Sequence, residues 1–281
     1  MKSFFLKILV FGFSTFSLSA QELQSKMDQD ESIIFKPELK SIFENLGVKG
    51  STSIYDLNNQ TWILTDSIEF KRQTLPASTF KIINLLIALE TGVIESELDV
   101  IKWHGISDSL KYGYRPDIYR DITIKEAFEV SAVWVFIELA NKIGKETYRK
   151  FLNDAGYGNL KIDQEDVDFW NFGDFAISPR EQIVFLKNIF EGNTQFSKNN
   201  VEILKGLMFS ESFADANFYG KTGWTRLEDM HIGWWVGFLE RNGNIYFFAT
   251  RIFLDRGFDS KNFASNRRKI TNQVFENLKI I

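Results

Sequence analysis

The sequence predicts an α+β fold in which one antiparallel sheet is formed by strands from both ends of the chain, flanked by helices, with a helical region inserted between them. Three observations predict it. Strand-like segments with hairpin turns lie near both ends, helical periodicity fills the middle, and no stretch rich in Pro, Gly and Ser divides the chain. We therefore predict a single domain over residues 21–281.

Residues 1–20 have the pattern of a signal peptide. Lys2 and Lys7 form a positive n-region, residues 8–16 are apolar, and Ala20 ends a run of small residues. The apolar stretch is too short to span a bilayer comfortably, and a retained N-terminal anchor is the alternative interpretation. No other window is long and apolar enough to be a membrane span. We expect secretion across the inner membrane into the periplasm, with no integral membrane segment in the mature chain.

The first predicted elements of the domain are a hairpin and two helical regions. The hairpin covers residues 53–64, with Asn58 and Asn59 at its turn. From Pro76 to Glu90 the apolar residues recur at helical spacing, and a glycine ends the run. A long helical region is predicted over residues 123–143.

The second half of the chain returns to strands. Residues 156–179 are acidic, aromatic and aperiodic, which predicts a long loop, and loops of this length are often functional. Residues 181–190 are helical in pattern. The strongest hairpin joins residues 231–240 to residues 245–253 through an Asn-Gly turn, and residues 264–278 form a terminal amphipathic helix.

Charge and the counts of two residue types exclude several functions. The net charge of −4 argues against nucleic acid as a partner, because phosphate binding needs a basic surface. Two His residues and no Cys argue against a zinc site, a lipid anchor and a disulfide framework. A Ser-His-Asp hydrolase has little support because no Gly-x-Ser-x-Gly elbow is present, and we interpret His231 as a strand residue. The carboxylates of the predicted loop are interpreted as a solvated acidic face, with activation of a water molecule as the alternative: Glu165, Asp166, Asp168 and Asp174.

A Ser-x-x-Lys motif is the first candidate for chemistry. Ser78 and Lys81 are three residues apart, so on a helix their side chains share a face. A serine hydroxyl needs an adjacent base, and a lysine supplies one only where desolvation lowers its pKa. The apolar residues that flank Lys81 offer such a setting. Alone, the motif is weak.

Two further motifs strengthen it. Lys221-Thr222-Gly223 stands just ahead of the strong hairpin, where a cation and a hydroxyl at the end of a strand suit a substrate carboxylate. Gly223 lets a ligand lie close to the backbone. Ser131 lies in the second helical region, where it can relay a proton. The order Ser-x-x-Lys, Ser-x-x, Lys-Thr-Gly is the signature of penicilloyl serine transferases.

The chain resembles class D (oxacillinase-type) serine β-lactamases from about Ser53 to the C-terminal helix. The motifs that carry the resemblance are Pro-Ala-Ser-Thr-Phe-Lys-Ile (76–82), Ser-Ala-Val (131–133), Tyr-Gly-Asn (157–159), Phe-Trp (169–170) and Gly-Trp-Trp-Val-Gly (233–237). The resemblance implies the transpeptidase-like fold of serine β-lactamases and penicillin-binding proteins. It also implies hydrolysis of small-molecule β-lactams, with no metal and no separate cofactor.

The resemblance implies a role for the residues of each motif. Ser78 would be the acylated nucleophile, and Lys81 would carry a CO2-derived carbamate that acts as general base in acylation and deacylation. Trp170 and Val133 would stabilise that carbamate, Trp170 by donating its indole N–H. Ser131 would pass a proton to the leaving β-lactam nitrogen.

The remaining implied roles concern substrate binding. Lys221 would hold Ser131 in place electrostatically. Thr222 and Arg267 would bind the carboxylate of the drug, with the adjacent Arg268 as a rival for the second position. The backbone N–H groups of Ser78 and Trp224 would form the oxyanion hole, and Tyr157 would be a structural wall of the site.

The sequence departs from the family pattern at two positions. Trp134 follows the Ser-Ala-Val motif where a proline is usual, and Asn171 follows Trp170 where an aliphatic residue is usual. These changes leave the substrate range open. A penicillin-sensor domain and a D,D-peptidase, which acylate without rapid turnover, are the alternative functions. The expected assembly is a monomer or a homodimer.

Overall fold

The computed structural model describes residues 32–213 and 215–281, so the predicted signal peptide lies outside the described residues. Seven strands form one sheet in the order β1-β3-β2-β9-β8-β7-β6, and two short strands pair separately as β4-β5. The strands are β1 Ser32–Phe35, β2 Lys49–Asp56, β3 Thr61–Leu64, β4 Val100–Ile101, β5 Ile122–Thr123, β6 Phe209–Phe213, β7 Ala216–Leu227, β8 Met230–Arg241 and β9 Asn244–Asp255.

Helices cover both faces of this sheet. They are α1 Lys40–Glu44, α2 Ser67–Lys71, α3 Lys81–Glu90, α4 Ser109–Tyr112, α5 Ile124–Glu129, α6 Val133–Ile143, α7 Lys145–Asp154, α8 Pro179–Glu191, α9 Lys198–Met208 and α10 Phe263–Asn277. Three 3-10 turns cover Pro37–Leu39, Ala77–Phe80 and Pro116–Ile118. No helix in the described ranges is long and apolar enough to cross a membrane.

The central strands pack a core against each face of the sheet, because successive side chains of a strand point to opposite faces. On one face, Phe247 and Ala249 of β9 join the large cluster that includes α3, α6 and α8. On the other face, Phe248 and Ile252 of the same strand join a smaller cluster formed with α1 and α10. The sheet is therefore the middle layer, as the α+β prediction requires.

The sheet joins the two ends of the chain, and this prediction is confirmed. Strand β2 pairs antiparallel with β9 from Lys49–Phe253 to Asp56–Tyr246, so an N-terminal strand lies beside the last strand. The hairpin β2–β3 and the hairpin β8–β9 both form as predicted. The predicted loop over residues 156–179 has no helix or ladder strand as far as Ser178, and Pro179 already begins α8. The loop contributes a single bridge from Ile177 to Thr74.

The prediction of a long helical region over residues 123–143 is wrong in one respect. The chain forms two helices, α5 and α6, interrupted between Glu129 and Val133. The interruption is centred on Ser131, whose φ is 60°. This value lies in the left-handed region, and a residue in that region interrupts a right-handed helix. The apolar periodicity continues across the break, which is why the pattern suggested a single helical region.

The Lys-Thr-Gly motif also lies differently from the prediction. It is inside strand β7 rather than at a strand end, and Lys221 is opposite Val236 of β8. Strand β6 pairs with β7 only from Phe209–Tyr219 to Phe213–Ala216. Within the described part of the chain, β7 therefore has a free edge from Lys221 onward.

Candidate active site

The 3-10 turn that precedes α3 presents the Ser-x-x-Lys motif. Residues i and i+3 eclipse in such a turn, so the side chains of Ser78 and Lys81 meet. Lys81 Nζ lies 2.8 Å from Ser78 Oγ, within hydrogen-bonding distance. Ala77, directly before Ser78, has a φ of 51°, an uncommon conformation for a residue with a side chain. The backbone thus turns sharply at the serine, as strained residues often do at functional sites.

Ser131 completes a compact group of four side chains. Its Oγ lies 2.9 Å from Lys81 Nζ and 3.1 Å from Lys221 Nζ. The same break between helices that interrupts α5 and α6 turns Ser131 toward the two lysines. The structure therefore brings together residues from α3, from the α5–α6 connection and from β7. All four predicted catalytic residues (Ser78, Lys81, Ser131 and Lys221) are in contact.

Burial changes the charge state of both lysines. Lys81 is fully buried, and this burial lowers its pKa well below the usual range, with the charge of Lys221 adding to the effect. Burial lowers the pKa of Lys221 to about 7, and the positive charge of Arg267 contributes. A neutral amine at Lys81 can accept a proton or react as a nucleophile, which an ammonium group cannot do.

Trp170 lies behind the Ser-x-x-Lys turn. Its carbonyl accepts a hydrogen bond of 3.0 Å from the N–H of Ala77, and its ring stacks on Phe80 at 4.9 Å. The indole Nε1 is buried and has no hydrogen-bond partner among the described residues. A buried donor without an acceptor is costly, so the position fits an additional acceptor such as a carbamate on Lys81. Val133, the first residue of α6, lines the same cavity as Ser78.

The substrate-binding residues predicted on β7 and α10 lie together. Gly223 packs so closely that a Cβ there would be 2.8 Å from the carbonyl oxygen of Pro76 and 3.2 Å from the Ser78 nitrogen. Arg267 donates a hydrogen bond of 2.5 Å to the Gly223 carbonyl and lines the cavity, as Thr222 does. Burial lowers the pKa of Arg267 to about 10, which leaves it charged at neutral pH.

Arg268, the predicted rival of Arg267, faces a different part of the molecule. Its guanidinium lies 5.2 Å from the centre of the Trp235 ring, and it approaches Glu211 at 3.9 Å. It does not line the cavity beside Ser78. The geometry therefore favours Arg267 as the residue available to a ligand.

Two aromatic residues predicted in the site stabilise its walls. Trp224 lines the cavity, is 38% exposed, and donates from its indole to Nδ1 of His231 at 3.1 Å. His231 is thus a packed strand residue, as predicted. Tyr157 is buried, and its hydroxyl donates to Gln182, whose amide donates to Thr79 beside the nucleophile. Tyr157 therefore supports the nucleophile turn from behind.

The interpretation of the loop carboxylates as a solvated face is wrong for Asp168. Glu165, Asp166 and Asp174 are exposed, but the side chain of Asp168 is fully buried. It accepts hydrogen bonds of 2.8 Å from the Tyr112 hydroxyl and from the Asn171 amide. Burial raises the pKa of Asp168 to about 6, although both hydrogen bonds lower it.

The two departures from the family pattern also have defined contacts. The amide of Asn171 binds Asp168, and its carbonyl accepts a hydrogen bond of 2.7 Å from Thr225 of β7. Trp134 donates to the carbonyl of Ile118 at 2.7 Å and packs edge-on against Trp103. Trp134 therefore contacts the segment of residues 103–119 at both of its ends. Asn171 binds a buried carboxylate instead of facing an apolar pocket.

These residues surround a cavity of about 430 Å³ that we call the cleft. Its lining residues come from six parts of the chain: the nucleophile turn, residues 111–118, Ser131 with Val133, Asn171 with Phe172, residues 222–226 of β7, and Arg267. Cationic residues are frequent in this lining, namely Lys111, Arg115, Arg226 and Arg267. No Asp or Glu among the described residues lines it.

Comparison with known proteins agrees with this arrangement. A family model described as the penicillin-binding protein transpeptidase domain matches residues 48–277. β-Lactamase OXA-10 of Pseudomonas aeruginosa is 32% identical over 242 residues, which cover 85% of this chain and 88% of the relative. β-Lactamase OXA-48 of Klebsiella pneumoniae is 33% identical over 83% of this chain and 84% of the relative. The crystal structure of a class D β-lactamase from Sebaldella termitidis superposes with a TM-score of 0.83 at 35% identity, over 90% of this chain and all of that chain.

The chain belongs to the class D β-lactamases. It is a serine β-lactamase with the fold of the transpeptidase domain, as the sequence motifs predicted. No group of three or more potential metal-ligating side chains occurs within residues 32–213 and 215–281.

Several cleft residues of this class D β-lactamase were not predicted from the sequence. They include Lys111, Tyr112, Arg115 and Arg226, and the buried position of Asp168 behind the cleft lining was not predicted either. The first three lie in a segment with no strong periodicity, and no motif marks them. For Asp168 a signal was present, because it directly precedes the Phe-Trp pair of the family, whose side chains are buried.

Proposed function

We propose that this β-lactamase opens β-lactams through a covalent acyl-enzyme on Ser78, with N-carboxylated Lys81 as the general base. The observation that carries the proposal is the contact of Ser78 with a fully buried lysine whose pKa is lowered. A serine attacks a carbonyl carbon only when a base takes its proton, and Lys81 is the group within hydrogen-bonding distance that burial keeps uncharged.

Carboxylation of Lys81 would supply an anionic base for both acylation and deacylation. Trp170 and Val133 would hold the carboxyl group, and the unpartnered indole N–H of Trp170 supports this assignment. The apolar surroundings favour the neutral amine that reacts with CO2, but they penalise the anionic product unless a donor compensates. One indole N–H is such a donor.

Ser131 and Lys221 would handle the proton of the leaving group. When the β-lactam C–N bond breaks, the ring nitrogen must gain a proton, and the Ser131 hydroxyl can donate one. The Lys221 ammonium, 3.1 Å away, holds the hydroxyl and stabilises the negative charge that develops on it. The pKa of Lys221 is near 7, so it can also return a proton to Ser131.

Substrate orientation would come from β7 and α10. Thr222 and Arg267 would bind the carboxylate of the drug, Arg267 with a charged guanidinium. The N–H groups of Ser78 and Trp224 would stabilise the oxyanion. Gly223 packs closely against Ser78, so the backbone of β7 lies beside the backbone of the nucleophile turn.

We also propose that the chain is exported to the periplasm, which cell fractionation with an antibody can test.

One experiment tests acylation and turnover together. The purified protein is mixed with a chromogenic cephalosporin, and the number of molecules hydrolysed per enzyme is counted. We expect many turnovers for the wild type, and a mass adduct on the peptide that contains Ser78 when a slow substrate is used. Ser78→Ala should fold normally and lose both.

An adduct on another residue would contradict the assignment of Ser78. A stop after one equivalent of cephalosporin would contradict hydrolysis and would instead indicate a sensor or a D,D-peptidase.

A further inference from the structure

The cleft holds more positive charge than one substrate carboxylate requires. Four cations line it and no acidic residue of the described chain does, although the whole protein has a net charge of −4. Arg267 and Thr222 account for the carboxylate that every penicillin carries on its ring. Lys111, Arg115 and Arg226 are then left without a role in the reaction.

Arg226 differs from the other two cations in its pairing. Lys111 is paired with Asp166, and Arg115 binds Asp117 through two hydrogen bonds of 3.0 and 2.7 Å. Arg226 is exposed and forms no ion pair or side-chain hydrogen bond with any residue that the structure describes. Its guanidinium is therefore free to bind an anion.

The position of Arg226 on β7 fixes which part of a ligand it can meet. Beyond Tyr219 no described strand pairs with β7 on its β6 side, and residues 222–226 line the cleft. Gly223 of this segment packs against Ser78, where the ring carbonyl must lie. Thr222, the proposed carboxylate-binding residue, and Arg226 are four residues apart, so their side chains share a face of β7 and lie roughly 13 Å apart along the strand. The part of the drug that extends away from the ring carboxylate is the acylamino side chain.

We propose that the cleft selects β-lactams whose acylamino side chain carries a second negative charge, and that Arg226 is the residue that determines this specificity. The inference rests on the β-lactam hydrolysis proposed above. A guanidinium presents parallel N–H donors that match a carboxylate, and Arg226 lines the cleft without a carboxylate partner among the described residues. A cationic side chain would be repelled by the same guanidinium.

Three penicillins of similar size test the proposal. They are the phenylacetyl penicillin, its α-carboxy derivative and its α-amino derivative, whose side chains are neutral, anionic and cationic. We expect the wild type to have a higher kcat/KM for the α-carboxy than for the α-amino compound. Arg226→Gln should lower the ratio of these two values by about tenfold or more, as expected for loss of one charged hydrogen-bonding partner. Arg226→Lys should retain part of the ratio.

Lys198→Gln is the matched control, because Lys198 is exposed at the start of α9 and does not line the cleft. It removes the same net charge and should leave the ratio at the wild-type value. An equal ratio in wild type and Arg226→Gln, or a wild-type preference for the α-amino compound, would overturn the proposal. If the enzyme acylates without turnover, hydrolysis is contradicted, but the acylation rate constants of the three compounds give the same comparison.

Discussion

Replacement of the buried carboxyl group of Asp168 by an amide should stabilise the protein at neutral pH. In Asp168→Asn the shape is kept, the new amide oxygen can accept from Asn171, and the new NH2 can donate to the Tyr112 hydroxyl. The change removes the negative charge, which is unfavourable in this fully buried position.

The magnitude follows from the pKa. It is raised from an ordinary value of 3.8 to about 6, so the folded state binds a proton more tightly than the unfolded state. The stability that the protonated group contributes is complete below pH 3.8 and is lost as the pH rises through 6. At about 1.4 kcal/mol per pKa unit, the ionised carboxyl group lowers the free energy of unfolding by about 3 kcal/mol at pH 7.5. The gain from Asp168→Asn should therefore grow by about 2–3 kcal/mol between pH 4 and pH 7.5.

Urea unfolding of the wild type and the variant at both pH values measures this difference, and the other carboxyl groups cancel in the comparison. Asp166→Asn is the control on the same loop. Burial raises the pKa of Asp166, but the hydrogen bonds from Lys111 and from the Asp168 N–H, together with the charges of Lys111 and Lys145, outweigh it and leave the pKa below its ordinary value. Its replacement should thus have the opposite pH dependence. If Asp168→Asn changes the free energy of unfolding by the same amount at both pH values, Asp168 does not titrate near pH 6.

Three other substitutions test the site. Arg267→Ala should raise KM more than it lowers kcat, and the loss in kcat/KM should correspond to about 1.5–3 kcal/mol. If Arg268→Ala shows this loss and Arg267→Ala does not, Arg268 is the residue that binds the carboxylate. At mildly acidic pH, added bicarbonate should restore full activity to the wild type but only part of the activity to Trp170→Phe. If carbon-13 NMR with labelled CO2 shows no carbamate signal, carboxylation of Lys81 is contradicted. Gly223→Ala should slow acylation of Ser78 strongly while the protein stays folded, because its Cβ would be 2.8 Å from the Pro76 carbonyl oxygen. Stopped-flow measurement of the acylation rate checks this, and a wild-type rate would show that the backbone adapts.

The four side chains of the proposed catalytic group could be selected from the sequence because they belong to short motifs. Ser78 and Lys81 are three residues apart, and the Lys-Thr-Gly motif precedes a strong hairpin, so local spacing already restricts their geometry. The contact between Ser131 and Lys221 was expected only from the family resemblance. No local pattern indicates that a residue in a break between two helices lies 3.1 Å from a residue on β7.

The rest of the site depends on packing between distant segments, which periodicity does not report. Asp168 is hydrophilic and lies among other acids, so its sequence context resembles an exposed loop. It is buried because Tyr112 and Asn171 offer it two donors. Similarly, the break between α5 and α6 is centred on the φ angle of one residue, Ser131. The apolar pattern is the same on both sides of Ser131, so periodicity does not indicate the break.

The pairing of β2 with β9 has a consequence for how the enzyme is made. About 190 residues separate the two strands along the chain, so the ribosome must synthesise almost the whole protein before the sheet can close. Because synthesis proceeds at roughly 5–20 residues per second, the nascent chain spends seconds to tens of seconds without its central strand. Contacts between residues so far apart in sequence also form slowly. The proposed export would therefore act on a chain that has not yet completed its sheet. The four side chains of the proposed catalytic group would come together only at the last stage of folding.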